Sequence, residues 1–130
     1  MTKQYAKSDS PYASILGFSR AVRVGNFVAV GGTAPIDSDG QTIGINDPAE
    51  QTRQCIKTIK NALEEVGASL SDVVRTRMIL TRMEDWKEVA KVRGEYFKEI
   101  KPVDTVMQVT SFINPEWLVE IEVDAIVSGD

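Results

Sequence analysis

The spacing of apolar positions changes along the chain, and each change marks an element. Residues 19–33, SRAVRVGNFVAVGGT, are two extended runs on either side of Gly25-Asn26. A Gly-Asn pair supplies the positive φ of a two-residue turn, so this stretch reads as a β-hairpin. Alternation puts Ala21 and Arg23 on one face of the first run and Arg20, Val22 and Val24 on the other. The second run, FVAVGG, is small and apolar, as in a central strand that backbone or ligand approaches closely. DSDG at 37–40 is a turn. From Asp47 the period lengthens to that of a helix. Asp47 is the N-cap, Pro48 suits the first helical position, and Glu50 stands three residues after the cap. Ile56, Ile59, Leu63 and Val66 form the apolar stripe and Gly67 the stop, with Cys55 beside the stripe as a small core residue. VVRTRMIL at 73–80 is a strand. A second helix covers about 84–100, with Trp86, Val89, Tyr96, Phe97 and Ile100 toward the core. Gly94 inside it costs ~1 kcal/mol against Ala and implies close packing there. Pro102 ends it, and strands at 105–112 and about 117–127 close the chain. The order predicts a single α+β domain over 1–130, a mixed sheet with two helices on one face.

The last strand raises a question. In WLVEIEVDAI (117–126) the acids Glu120, Glu122 and Asp124 share one face, opposite Trp117, Val119, Ile121, Val123 and Ala125. The helices need the apolar row, so the acids lie on the sheet's other side. Two carboxylates ~7 Å apart repel by roughly 0.6 kcal/mol in water and about 2.4 kcal/mol at an effective dielectric of ~20. They require solvent or arginines, and Arg75 and Arg77 alternate on strand 73–80 in the same way. Met107, Val109 and Val30 are too apolar for a fully solvated face. The pattern therefore predicts a cover of other subunits with a wet cleft between them.

Composition narrows the chemistry. The chain has 130 residues, a net charge of −4, one cysteine and no histidine. Without histidine there is no Ser-His or Cys-His nucleophile pair and no usual zinc site. Catalysis has to use carboxylates, hydroxyls, backbone groups, Lys or Arg. The acidic balance counts against nucleic acid as a partner. A lone cysteine fits a reducing compartment. The polar start, MTKQYAKSDS, has no apolar leader core, and no stretch is long enough to span a bilayer, so the expected location is cytoplasmic, with no membrane partner. A metal site on Glu120, Glu122 and Asp124 is not expected, because a straight row does not converge on one point. No cofactor is expected either.

The stretches GFSRAVRVGNFVAVGGTAP (17–35), DPAEQTRQCIKTIKNALEEVGASLSDVVRTRMIL (47–80), DWKEVAKVRGEYF (85–97), KPVDTVMQV (101–109) and PEWLVEIEVDAI (115–126) together resemble the RidA/YjgF family across nearly the whole chain. The resemblance implies a chorismate-mutase-like fold and a homotrimer. In that trimer the sheets face a central barrel, and small metabolites bind in clefts between subunits. It also implies hydrolysis of enamines and imines to keto acids and ammonia, with an Arg gripping the substrate carboxylate and a Glu of the last strand activating water. Laid on this chain, the family Glu falls on Glu122 and the Arg on Asp104 of Pro102-Val103-Asp104-Thr105. The Tyr falls on Phe18, the Ser on Gly31, the helix Asn on Ala90 and the Cys on Val106. An acid thus stands where the clamp would be, and the Arg-dependent deamination is not expected. Expected in its place is a metabolite-binding trimer with Glu-assisted hydrolysis or tautomerisation. The alternative is a non-catalytic trimer for ligand sensing or protein contacts. The resemblance also brings RNA cleavage or translation inhibition, against which the acidic balance and the lack of a basic aromatic stripe count.

The site residues nominated are Glu122 as the catalytic group and Phe18, Gly31, Gly32, Asp104, Thr105 and Val106 as ligand contacts. Several keep two readings. Glu122 is a base or the ladder partner of Arg75 or Arg77. Asp104 is a turn acid or the recogniser of a cationic ligand. Gly31-Gly32 presents N–H groups or permits tight packing. Trp86 and Trp117 read as core or interface, and Arg20 and Arg93 as surface arginines able to lend positive charge to the cleft.

Overall fold

The computed structural model describes residues 2–128. Its elements are β1 (Lys3–Ala6), a one-turn helix α1 (Ala13–Leu16), β2 (Ala21–Val24), β3 (Phe27–Thr33), α2 (Pro48–Glu65), β4 (Val73–Leu80), α3 (Trp86–Phe97), β5 (Val103–Gln108) and β6 (Val119–Ile126). They form one mixed sheet in the order β1-β2-β3-β6-β4-β5, antiparallel throughout except for the parallel pair β4–β5. The last strand in sequence therefore sits in the middle, between β3 and β4.

The local chemistry accounts for the elements. Val24 pairs with Phe27 across the Gly25-Asn26 turn, and Gly25 alone takes positive φ (60°), as a type II′ turn requires. At α2 the Asp47 side chain accepts from the Glu50 backbone N–H, Pro48 opens the helix, and Gly67 follows it at φ 78°. Cys55, Ile56, Ile59 and Leu63 of α2 are fully buried against Val119, Ile121, Val123 and Ala125 of β6, in a core that also takes Met78, Leu80, Val89 and Phe97.

Four expectations need correction. Trp86 is 47% exposed, because the helix starts at that residue with its indole outside the α2–α3 contact. A Cβ on Gly94 would meet nothing within 4 Å, so no close packing explains that glycine. The fifth strand ends at Gln108 rather than 112, and the second helix at Phe97 rather than 100. β1 and α1 carry too little apolar periodicity to announce themselves. β1 is held by backbone pairing to β2, with only Ala6 buried. No helix among the described residues is long and apolar enough to cross a membrane.

Candidate functional site

The sheet face away from the helices is crossed by charged rows. Arg75 and Arg77 of β4 stand opposite Asp124 and Glu122 of β6. Arg77 reaches Asp124 at 3.3 Å and Glu122 at 3.4 Å, and Arg75 reaches Asp124 at 3.5 Å. These are half-exposed pairs worth about 0.2–1 kcal/mol each. Glu122 and Asp124 thus spend their charge on the ladder. β5 is exposed along its whole length, and Val103 and Met107 stand open on it.

Glu120 does something else. It lies opposite Ile79, which offers no cation. On its other side the β3–β6 pairing slips between Val30 and Thr33. There Gly32 makes room: a Cβ at that position would stand 2.7 Å from Glu120 Oε1. The carboxyl is drawn into a cavity of ≈170 Å³ whose walls include Tyr12, Phe18, Ile113, Trp117 and Arg20. Burial raises the Glu120 pKa, Arg20 opposes that rise, and the neighbouring Glu122 charge adds to it. The walls are built by a satellite cluster in which Trp117 is buried against Tyr12, edge to face at 6.1 Å, with its indole N–H donating to Thr42 Oγ1.

Arg20 is not a surface residue: it is 5% exposed. One amino nitrogen donates to the Gly32 carbonyl at 2.7 Å and to Thr33 Oγ1 at 3.3 Å, the other to Ser8 Oγ at 3.0 Å. Its guanidinium also stacks on Phe18 at 5.4 Å. Arg20 begins β2 by pattern, and its burial follows from the strand's reaching the sheet's end beneath residues 8–10.

Of the nominated residues, the structure brings Phe18 and Gly32 together with Glu120, and Gly31 adjoins them with its N–H donated to the Arg20 carbonyl. Glu122 stays in the ladder. Asp104, Thr105 and Val106 lie on the far edge strand, separated from β3 by β6 and β4. Asp104 turns toward the helices, accepts from Thr76 Oγ1 at 2.6 Å and pairs with Arg93 of α3 at 3.5 Å. Arg93 also donates to Thr76 Oγ1 and the Pro102 carbonyl, so it is a strut rather than a free surface cation. Asp104 is therefore neither a bare turn acid nor free for a ligand within this chain. Tyr12, Trp117 and Glu120 are site walls that sequence reasoning did not nominate, and Arg20 is the arginine it offered as a positive charge for the cleft while reading it as a surface residue. No sequence signal separates Glu120 from its neighbours; the structure does so by setting it beside Gly32. Among the described residues no group of three or more His, Cys, Asp or Glu is placed to hold a metal.

The chain is similar to known proteins in sequence and fold. The family described as Endoribonuclease L-PSP matches residues 8–127. A RutC family protein of Pyrococcus abyssi is 38% identical over 122 residues, covering 94% of this chain and 95% of that protein. The 3-aminoacrylate deaminase RutC of Acinetobacter baylyi is 35% identical over 101 residues, covering 78% and 79%. Among solved structures, a Mycobacterium tuberculosis member of the YjgF/YER057c/UK114 family superposes with a TM-score of 0.87 at 41% identity, covering 97% of this chain and 100% of the other. RidA from an Antarctic Psychrobacter gives 0.84 at 28%, covering 95% and 99%. The mixed six-stranded sheet with its helices on one face is the chorismate-mutase-like fold of these proteins, and the chain belongs to the RidA/YjgF family.

Proposed function

We propose that this protein is a homotrimer that binds a small electrophilic metabolite in clefts between subunits and hydrolyses an imine or enamine with Glu120 as the proton-transfer group. The observation that carries the reading is the Glu120 carboxyl in a half-apolar cavity on the uncovered sheet side, with its pKa raised by burial. A carboxyl moved toward neutrality is suited to take a proton from attacking water and pass it to nitrogen. Water adds to the C=N carbon, the C–N bond breaks, and a carbonyl compound and ammonia or an amine leave. The relative that deaminates 3-aminoacrylate favours the same bond type. Glu122, held by Arg77, is the weaker candidate.

An assembly would complete the cleft: the cavity lies where β3 and β6 meet and the exposed strand β5 is the sheet's edge, so a neighbour's β5 can close what one chain leaves open. The walls Tyr12, Phe18, Ile113 and Trp117 select a substrate with an apolar group. Asp104, engaged by Arg93, offers no clamp for a carboxylate, and losing such a clamp costs ~2–5 kcal/mol when the charge is desolvated. The lone buried Cys55 suits a cytoplasmic setting.

The test compares two substrates made in situ: 2-aminoacrylate from a dehydratase, and the imine that a flavin amine oxidase forms from 2-phenylethylamine. Faster ammonia release is expected from the second, lost in Glu120→Gln and kept in Glu122→Gln. Efficient turnover of 2-aminoacrylate, or loss of activity in Glu122→Gln alone, defeats the proposal. Sedimentation as a monomer defeats the trimer.

A further inference from the structure

Arg20 also forms the floor of a second cavity, on the helix side of the sheet's end. This one measures ≈210 Å³ and lies between residues 7–9, the end of β3 with the loop after it, and α2. The α2 wall is Gln54, Thr58, Asn61 and Glu65, residues spaced at three and four along one helical stripe next to the core stripe. They are polar where a packed neighbour would ask for apolar residues. Beyond Arg20, the walls toward the chain's other segments include the hydroxyls of Ser8, Thr33 and Ser38, the apolar Ala34 and Ile36, and Lys7.

Arg20 is nearly buried, yet among the described residues no carboxylate comes within 4.0 Å of it. Its donations go to a carbonyl and two hydroxyls. A guanidinium has five N–H bonds, and those donations leave part of the set open. The Glu120 and Asp9 charges act on it from beyond contact distance, and a buried cation with no carboxylate in direct contact is relieved by an anion beside it. The carboxylates stand at the cavity's outer wall: Asp9, Asp37 and Glu65. Asp37 is occupied by the backbone N–H groups of Asp39 and Gln41, and Glu65 by that of Lys7; Asp9 is exposed. Lys7 also stands at the mouth, so three carboxylates face one cation there, and the charge order is positive at the floor and net negative at the mouth. Hydroxyls and amides lie between. That order suits a small molecule with an anionic head and a cationic tail a few ångströms apart. The volume falls below the ~300–1,000 Å³ of drug-sized pockets, so the ligand is small.

We propose that this cavity is a second ligand site that takes a free α-amino acid, its carboxylate against Arg20 and its ammonium toward Asp9 at the mouth. The site lies on the other side of Arg20 from the Glu120 cavity, shares that residue with it, and does not require that cavity to be catalytic.

The test is two-dimensional ¹H–¹⁵N NMR of the intact protein with the proteinogenic amino acids as probes. For L-serine two further probes are added: ethanolamine, which lacks the carboxylate, and 3-hydroxypropanoate, which lacks the ammonium. Saturable shifts are expected at Asp9, Ser38, Thr58 and Asn61 with at least one amino acid, and not with either truncated analogue of serine. Asn61→Trp, which fills the mouth from an exposed helix position, abolishes them. Asp9→Asn weakens binding about two- to fivefold, the scale of an exposed ion pair. Ile113→Trp, on the wall of the other cavity, leaves binding unchanged. The inference is overturned if no amino acid binds at millimolar concentration, if the analogues bind as well as serine, or if the shifts centre on Phe18 and Trp117.

Discussion

Asp104 occupies the position where the family resemblance places an arginine, and the structure makes it part of a strut. Its carboxylate accepts from Thr76 Oγ1 at 2.6 Å and lies 3.5 Å from Arg93 Nε, with the two side chains 27% and 17% exposed. Two unit charges at that distance attract by about 1.2 kcal/mol at the dielectric of water and about 4.7 kcal/mol at an effective dielectric of 20. Partial exposure places the pair between these limits, and we expect a coupling of about 1.5–2.5 kcal/mol. The hydrogen bond from Thr76 adds about 1 kcal/mol or more to the cost of Asp104→Ala, because Thr76 is buried. Asp104→Ala should therefore destabilise the protein by about 2.5–3.5 kcal/mol. The assay is urea unfolding at fixed protomer concentration for wild type, Asp104→Ala, Arg93→Met and the double variant, since oligomers make stability concentration-dependent. A coupling energy below about 0.5 kcal/mol would refute the strut. Asp104→Arg tests the same geometry from the other side. It sets like charges together at the α3 contact, so restoring the family residue alone should destabilise more than Ala does.

Three further outcomes follow from the site. Glu120 has a pKa raised above its ordinary value of 4.5, so its ionisation opposes folding. Stability should fall as pH rises from the ordinary value through the raised one and then level off. Glu120→Gln should flatten that fall and be the more stable protein at neutral pH; a Gln variant with an unchanged pH profile counts against burial of the carboxyl. Arg77→Met leaves Glu122 without its partner and Asp124 with Arg75 alone and should cost about 1 kcal/mol, shrinking in high salt, whereas Arg75→Met leaves both acids paired with Arg77 and should cost less; equal losses insensitive to salt would contradict the ladder. Burial, reinforced by the Glu120 charge, pushes the Cys55 thiol well up, so a thiol reagent should modify it only at the rate of unfolding; rapid modification of native protein argues otherwise.

Much of this was written locally. The Asp47-Pro48 cap, the stripe through Ile59 and Leu63, the Gly25-Asn26 turn and the alternation of β4 and β6 follow from backbone chemistry and periods of 3.6 and 2. These act within a few residues and survive any tertiary arrangement. They sufficed for an α+β sheet with helices on one face and for an acid row that needed arginines. The three acids could not be told apart on that basis, because alternation treats Glu120, Glu122 and Asp124 alike. Only the strand order, with β6 between β3 and β4, set Glu122 and Asp124 against arginines and Glu120 against a glycine and a slipped register. Arg20 and Asp104 were misjudged for the same reason. Whether a charge is buried, and what it meets, depends on neighbours 12 and 28 residues away in sequence that only chain folding brings near. Local pattern determines which face a side chain takes; tertiary packing decides which charges lose their water and so acquire a function.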